Sequence, residues 1–309
     1  MKILFHCGVG NKDRPHRWKF VAGLYSDLAR MFESLGHECF LIAHTQAKSE
    51  FIFHRSSLVD EVSRIMINES EEFIPDYVFT WNGVSEGDQK IINYYGKKKM
   101  IYGELGIFGH YDKTCYFNVT GVNGKLSQLG MNFRPTLDSV EDKKIIDKLR
   151  KEYQKPRLCK EPHVFVPLQD ETDTQIMKYS PFKKMDELLD YVETLFMHQG
   201  IKILYKMHPK APCELKSRRG FEQVFDDVHH YLPYADFIIG INSTVLTEAL
   251  IYDNVNIISV GLGPLSRHWP TVEEQHAFIG DLYRSQLKWI DLKDPSKVSK
   301  APFYRHMLQ

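Results

Sequence analysis

The sequence has no apolar run approaching the roughly 18 successive residues that a membrane-crossing helix needs. Its N-terminal stretch MKILFHCGVG has too short an apolar run, and no small-residue cleavage site, to read as a secretion signal. Neither charge sign is in excess: 40 Lys plus Arg balance 40 Asp plus Glu over 309 residues. No overall basic field therefore recruits nucleic acid, and any anion site must be built locally. Five cysteines, at 7, 39, 115, 159 and 213, include no C-x-x-C pair. An odd set without that spacing argues against a disulfide frame or zinc site and for reduced thiols. A cytoplasmic protein is expected, with any membrane contact peripheral at the inner face, and the sequon Asn118-Val119-Thr120 reads as chance. The loop after the first strand lacks both G-x-G-x-x-G and a Walker lysine, so neither dinucleotide nor P-loop binding follows. Repeats and low-complexity tracts are absent as well.

What the chain does have is an alternation of strands and helices. KILFHCGVG reads as a buried strand entering a glycine loop, WKFVAGLYSDLARMFESLG as an amphipathic helix stopped at Gly36, and HECFLIAH as the next strand. That order is a βαβ unit and implies a parallel sheet. DYVFTWNG and KMIYGELG add two strands around a helical stretch near 88–95. SVEDKKIIDKLRKEYQKP reads as a solvated helix, opened by a Ser139-x-x-Asp142 capping box and closed before Pro156, that leads into a second domain. There HVFVPLQ, IKILYKM, DFIIG and NVNIISVG read as strands, and MDELLDYVETLFMHQG as a helix ended by Gly200. The expected fold class is α/β, with two facing Rossmann-like domains, parallel sheets and an interdomain cleft as the default site. Residues 1–160 are assigned to the first domain, 161–290 to the second, and 291–309 to a tail packing back on the first.

In ILYKMHPK an apolar strand leaves through His208 and Pro209, between Lys206 and Lys210. Proline here is either a plain stop to the ladder or the residue that holds a turn aiming His208 at a phosphate. The two lysines either add charge there or are solvated. In GINSTVLTEAL a strand ends at Gly240, and Asn242 or Ser243 caps a helix starting near Thr244, leaving free amides and two hydroxyls suited to phosphate. Glu248, about one turn inside, is placed to accept from ribose hydroxyls. Ser-Thr alone is more often an ordinary cap. Both signals, however, follow strands of one domain and should emerge on one edge of its sheet.

KMHP followed by GINSTVLTEAL resembles the His-Pro and Ser-Ser/Thr motifs of CMP-sugar-dependent bacterial glycosyltransferases with the GT-B architecture, in particular the β-Kdo transferases of capsule and O-antigen lipopolysaccharide synthesis. YGELGIFG and VPLQDETD extend the likeness. The resemblance implies that His208, Ser243 and Thr244 hold the CMP phosphate, within an expected donor set of Gln169, Lys206, His208, Pro209, Asn242, Ser243, Thr244 and Glu248. It also implies that Asp173, in Gln169-x-x-x-Asp173, is the essential carboxylate and Glu104 the second acid. The chemistry suits such a pair: one carboxylate attacks or stabilises an oxocarbenium-like carbon while another takes the acceptor's proton. By spacing alone QDETD is more often a turn or helix start. Asp170 and Asp173 would alternatively suit Mg²⁺, but the Asp-x-Asp of metal-dependent sugar transferases is missing, so no metal or other cofactor is expected.

The first loop either lets Gly8 and Gly10 approach an acceptor sugar, with Arg14, His16 and Arg17 contacting its acidic groups, or simply packs. His110 either assists Glu104 or is structural. His229-His230 has no partner at metal spacing and is given no ligand role. The expected reaction is retaining transfer of Kdo from CMP-Kdo to a hydroxyl of a glycan or glycolipid acceptor, with peripheral membrane or synthase-complex association and no nucleic acid. The rivals are a CMP-sialate-dependent transferase, a CDP-glycerol glycerophosphotransferase, a sugar-nucleotide epimerase and a non-catalytic partner of a glycan synthase complex.

Overall fold

The computed structural model describes residues 1–8, 18–44, 54–56, 74–109, 113–122, 139–196, 198–253, 256–263, 265 and 271–309. The chain forms two compact units, Met1–Val122 with Ser285–Gln309, and Asn123–Arg284. The sequence pattern had placed the division near 160; the break falls after Val122 instead.

In the first unit, strands β1 (Lys2–Cys7), β2 (Glu38–His44), β3 (His54–Ser56), β4 (Tyr77–Trp81), β5 (Met100–Leu105) and β6 (Thr114–Asn118) join a late strand, Gln286–Lys288. From the late strand the order runs β6, β5, β4, β1, β2, β3. β5 through β3 are parallel, whereas β6 and the late strand are antiparallel additions. Helix α1 (Trp18–Ser34) turns Val21, Leu24, Tyr25, Leu28 and Phe32 inward at helical spacing. Helix α2 (Glu86–Tyr95) opens with a capping box of Ser85 and Asp88. The buried Asp88 carboxylate also accepts from the Thr80 hydroxyl at 2.5 Å and meets His6 Nδ1 at 2.7 Å, which pins α2 to β4 and β1. The helix Pro302–Met307 completes this core: Phe303 lies edge-on to Phe79 at 5.8 Å, and Tyr304 stacks on Phe32 at 5.7 Å.

In the second unit, β7 (His163–Pro167), β8 (Lys202–Lys206), β9 (Phe221–Gln223), β10 (Phe237–Gly240) and β11 (Asn256–Ser259) form a sheet in the order β11-β10-β7-β8-β9. Every neighbouring pair is parallel. Helix α3 (Ser139–Tyr153) buries Ile145, Ile146 and Leu149, and its buried Asp142 accepts from Arg284 at 2.7 Å. These contacts, rather than its charged face, place α3 in this unit. Short α4 (Thr174–Tyr179) is followed by α5 (Met185–Phe196), whose Met185, Leu188, Leu189, Val192 and Phe196 are buried. Arg218, its side chain only 4% exposed, meets Asp186 at 2.7 Å and Asp190 at 2.5 Å, tying the segment after the His-Pro turn to α5. Helices α6 (Thr244–Ala249) and α7 (Val272–Ser285) complete the unit. Among the described residues, no helix is long and apolar enough to cross a membrane.

Candidate functional site

Because β10, β7 and β8 are adjacent and parallel, their carboxyl ends share one edge of the sheet. The three motifs leave from those ends: Gln169 to Asp173 after β7, His208-Pro209 after β8, and Asn242 to Thr244 after β10. The chain enters the sheet at β7, builds β8 and β9 to one side, and then crosses to β10 and β11 on the other. The gap between β7 and β10 is therefore the topological switch point, where open α/β sheets bind ligands. Two amides bridge it. Gln169 Nε2 donates to Asn242 Oδ1 at 3.0 Å, and the Asn242 N–H donates back to Gln169 Oε1 at 3.1 Å. Asn242 Nδ2 donates further to the Leu262 carbonyl at 3.2 Å, so the loop after β11 joins the same assembly.

Ser243 is the N-cap of α6, its hydroxyl accepting from the Val245 N–H at 3.3 Å, and Thr244 is the first helical residue. Asp173 is itself an N-cap: its Oδ1 accepts from the Gln175 N–H at 2.8 Å and opens α4. The other acids of that loop have local partners. Asp170 Oδ1 accepts from the Thr172 N–H and hydroxyl at 2.9 and 2.6 Å, and Glu171 accepts from the Met185 N–H and Lys184 Nζ, both at 2.8 Å. Among the described residues, no three His, Cys, Asp or Glu side chains are grouped to hold a metal ion.

The half-buried His208 accepts at Nδ1 from the Lys210 N–H at 3.3 Å, and the Ala211 N–H closes the turn on the His208 carbonyl at 3.2 Å. With Nδ1 an acceptor, the neutral imidazole carries its proton on Nε2 as a donor. Pro209 and Lys210 are exposed. The Lys206 ammonium donates to the Phe225 and Asp226 carbonyls, at 2.7 Å each, and so fastens the loop after β9.

Glu104, the fifth residue of β5, is half-buried, and its Oε1 accepts from the Leu105 N–H at 2.9 Å. Gly8 follows β1 at φ +58°, a left-handed conformation that glycine adopts without strain. Both belong to the first unit. Gly10, Arg14, His16, Arg17 and His110 lie outside the described residues.

Glu248 was expected to meet ribose hydroxyls, but the residues assembled around it in the structure were given no role from the sequence. Glu248 Oε2 lies 3.5 Å from Nε2 of the buried His229. The His229 ring stacks on Tyr153 at 4.4 Å and 7°, and its Nδ1 is 3.0 Å from the Tyr252 hydroxyl. Burial, and then the Glu248 charge, push the Tyr252 phenol well up, so it keeps its proton. The His229-His230 dipeptide was the sole signal for these neighbours of Glu248, and it does not point to Tyr153 or Tyr252.

Two units built on parallel-rich sheets give an α/β protein of GT-B-like fold. No family model and no curated protein sequence matches the chain. Among solved structures, the β-Kdo 2,7 transferase of Thermosulfurimonas dismutans KpsC is similar with a TM-score of 0.59 at 15% identity, over 90% of this chain and 89% of that one. The β-Kdo 2,4 transferase of the same KpsC is similar with a TM-score of 0.53 at 13% identity, again over 90% and 89%. The chain shares the fold of these transferases.

Proposed function

We propose that the protein is a CMP-sugar-dependent glycosyltransferase that moves Kdo from CMP-Kdo to a sugar hydroxyl of a bacterial surface glycan, with retention at the anomeric carbon. The observation that carries this reading is the meeting of the Gln169-x-x-x-Asp173, His208-Pro209 and Ser243-Thr244 motifs on one sheet edge beside its switch point. The fold shared with the two KpsC transferases supports it.

In this reading the bond between the anomeric carbon and the phosphate oxygen breaks, and its electron pair leaves with CMP. His208 Nε2–H and the hydroxyls of Ser243 and Thr244 receive that charge, because donors in a fixed array stabilise an anion without reorganising. Asp173 meets the carbon as nucleophile or ion-stabilising carboxylate, and Glu104 takes the proton of the acceptor hydroxyl. The acceptor is a glycan or glycolipid, and the enzyme works in the cytoplasm, peripherally at the membrane face.

No divalent metal is required for CMP to bind. Calorimetry in EDTA tests this: undiminished CMP binding is expected, and a loss that Mg²⁺ restores overturns the metal-free site. Thermal shifts with CMP, CDP, UMP and UDP address the donor, because a ligand that binds only the folded state raises its melting temperature. The largest shift is expected with CMP. A preference for CDP would favour glycerophosphate transfer, and a preference for UDP an epimerase.

A further inference from the structure

Glu248 is the fifth residue of α6, the helix that Ser243 caps at the carboxyl edge of the sheet. The His229 ring stands against its carboxylate, with Nε2 3.5 Å from Oε2. The contact is at ion-pair distance, and because a carboxylate only accepts, it favours a proton on His229 Nε2. In the neutral ring Nδ1 is then an acceptor, and the Tyr252 hydroxyl 3.0 Å away donates to it. Stacking on Tyr153 fixes the ring plane. With the ring neutral, the chain of Tyr252, His229 and Glu248 runs from donor to acceptor, and it ends on a carboxylate that is 13% exposed.

We propose that His229 is a positioning residue: it orients Glu248 to accept from the ribose hydroxyls of the nucleotide donor, and so sets a preference for a ribonucleotide over its 2′-deoxy counterpart. This rests on the nucleotide-donor reading of the same edge. A hydroxyl bonded to a charged carboxylate discriminates because removing it leaves the acceptor desolvated and unpaired. A mobile glutamate would recover by turning to water. A held one does not.

Equilibrium binding of CMP and dCMP to the full chain tests this. The wild type should bind CMP about tenfold or more tightly than dCMP. His229→Phe keeps a ring against Tyr153 but removes both nitrogens, and should weaken CMP more than dCMP, bringing the two affinities close together. His229→Gln restores an N–H near the position of Nε2 and should recover most of the difference. A His229→Phe protein that keeps the wild-type ratio, or loses both nucleotides equally, overturns the proposal. If that variant does not fold, Tyr252→Phe gives the same readout with the packing preserved: a severalfold fall in the ratio supports the proposal, and an unchanged ratio overturns it. A wild type that binds CMP and dCMP equally overturns this inference alone, whereas one that binds neither overturns the donor reading as well.

Discussion

Gln169 and Asn242 hold each other by two reciprocal hydrogen bonds, so the loop that carries Asp173 is fixed to the loop that carries Ser243 and Thr244. Truncating Gln169 undoes both bonds, whereas truncating Asn242 undoes only the one its Oδ1 accepts, because the other is donated by its backbone N–H. Gln169→Ala and Asn242→Ala should each weaken CMP binding by about tenfold, which is the scale of one or two lost hydrogen bonds. The double variant should be no worse than the poorer single one. Additive losses in the cycle would instead mean that each side chain touches the donor separately.

Asp173 has two jobs in this account, and they can be separated. Asparagine caps a helix about as well as aspartate, so Asp173→Asn should keep thermal stability within about 0.5 kcal/mol of wild type, whereas Asp173→Ala should lose about 1 kcal/mol with the cap. Both variants should bind CMP, and in both transfer should fall by orders of magnitude. Near-normal transfer by Asp173→Asn, measured as CMP release with acceptor present, would leave only the cap.

His208→Ala should weaken CMP binding and turnover while leaving the melting temperature near that of wild type, because the ring is half-buried and bonds to its own turn. A variant that loses its melting transition yet keeps full specific activity when folded would make the histidine structural.

The Arg218 guanidinium beside Asp186 holds that carboxyl well below the usual carboxylate range, chiefly through the hydrogen bond between them. A depressed pKa contributes stability that is complete above the unfolded value of about 4 and is lost as pH falls below it. Arg218→Ala should cost about 2 kcal/mol at pH 7, less than a fully buried pair because Asp190 is open to solvent. The gap between variant and wild type in urea titrations should narrow below pH 4. A constant gap down to pH 2 would place the effect in packing alone.

All five cysteines are free, and Cys7, Cys39, Cys115 and Cys159 are buried. Burial pushes Cys39 and Cys115 up to about 12 and raises the half-buried Cys213 as well. Since the thiolate is the reactive form, Ellman's reagent should label native protein slowly at pH 7.5, at Cys213 only, and faster as pH rises. Denaturation should release five thiols. Rapid labelling of a second native thiol would contradict the packing of the cores.

The strands and their edge were legible because each motif sits directly after a short apolar run, and parallel pairing brings such ends together whatever the loops contain. Ser243 as a cap was legible for the same local reason. What the pattern did not carry depends on partners distant in the chain. Lys206 reads as a free cation, but it finds carbonyls of a neighbouring loop; α3 reads as a linker, but it is claimed by Arg284. Glu248 faces a histidine that lies nineteen residues before it and is read as inert. Asp173 was legible as an acid and its loop as a turn or helix start, whereas the extent of α4 was not, because six residues are too few for its periodicity to stand out.

The first unit is assembled from both sides of the second, and this has a bearing on the order in which the molecule takes shape during synthesis. When residues 123–284 have left the ribosome, the second unit has all its strands, whereas the first still lacks Phe303, Tyr304 and Met307 from its core. Phe32 and Phe79 are by then made but uncovered on the side those residues will occupy. Of the two units, the one whose synthesis begins earlier is thus the later to close, and its greasy face is the one a chaperone would meet on the nascent chain.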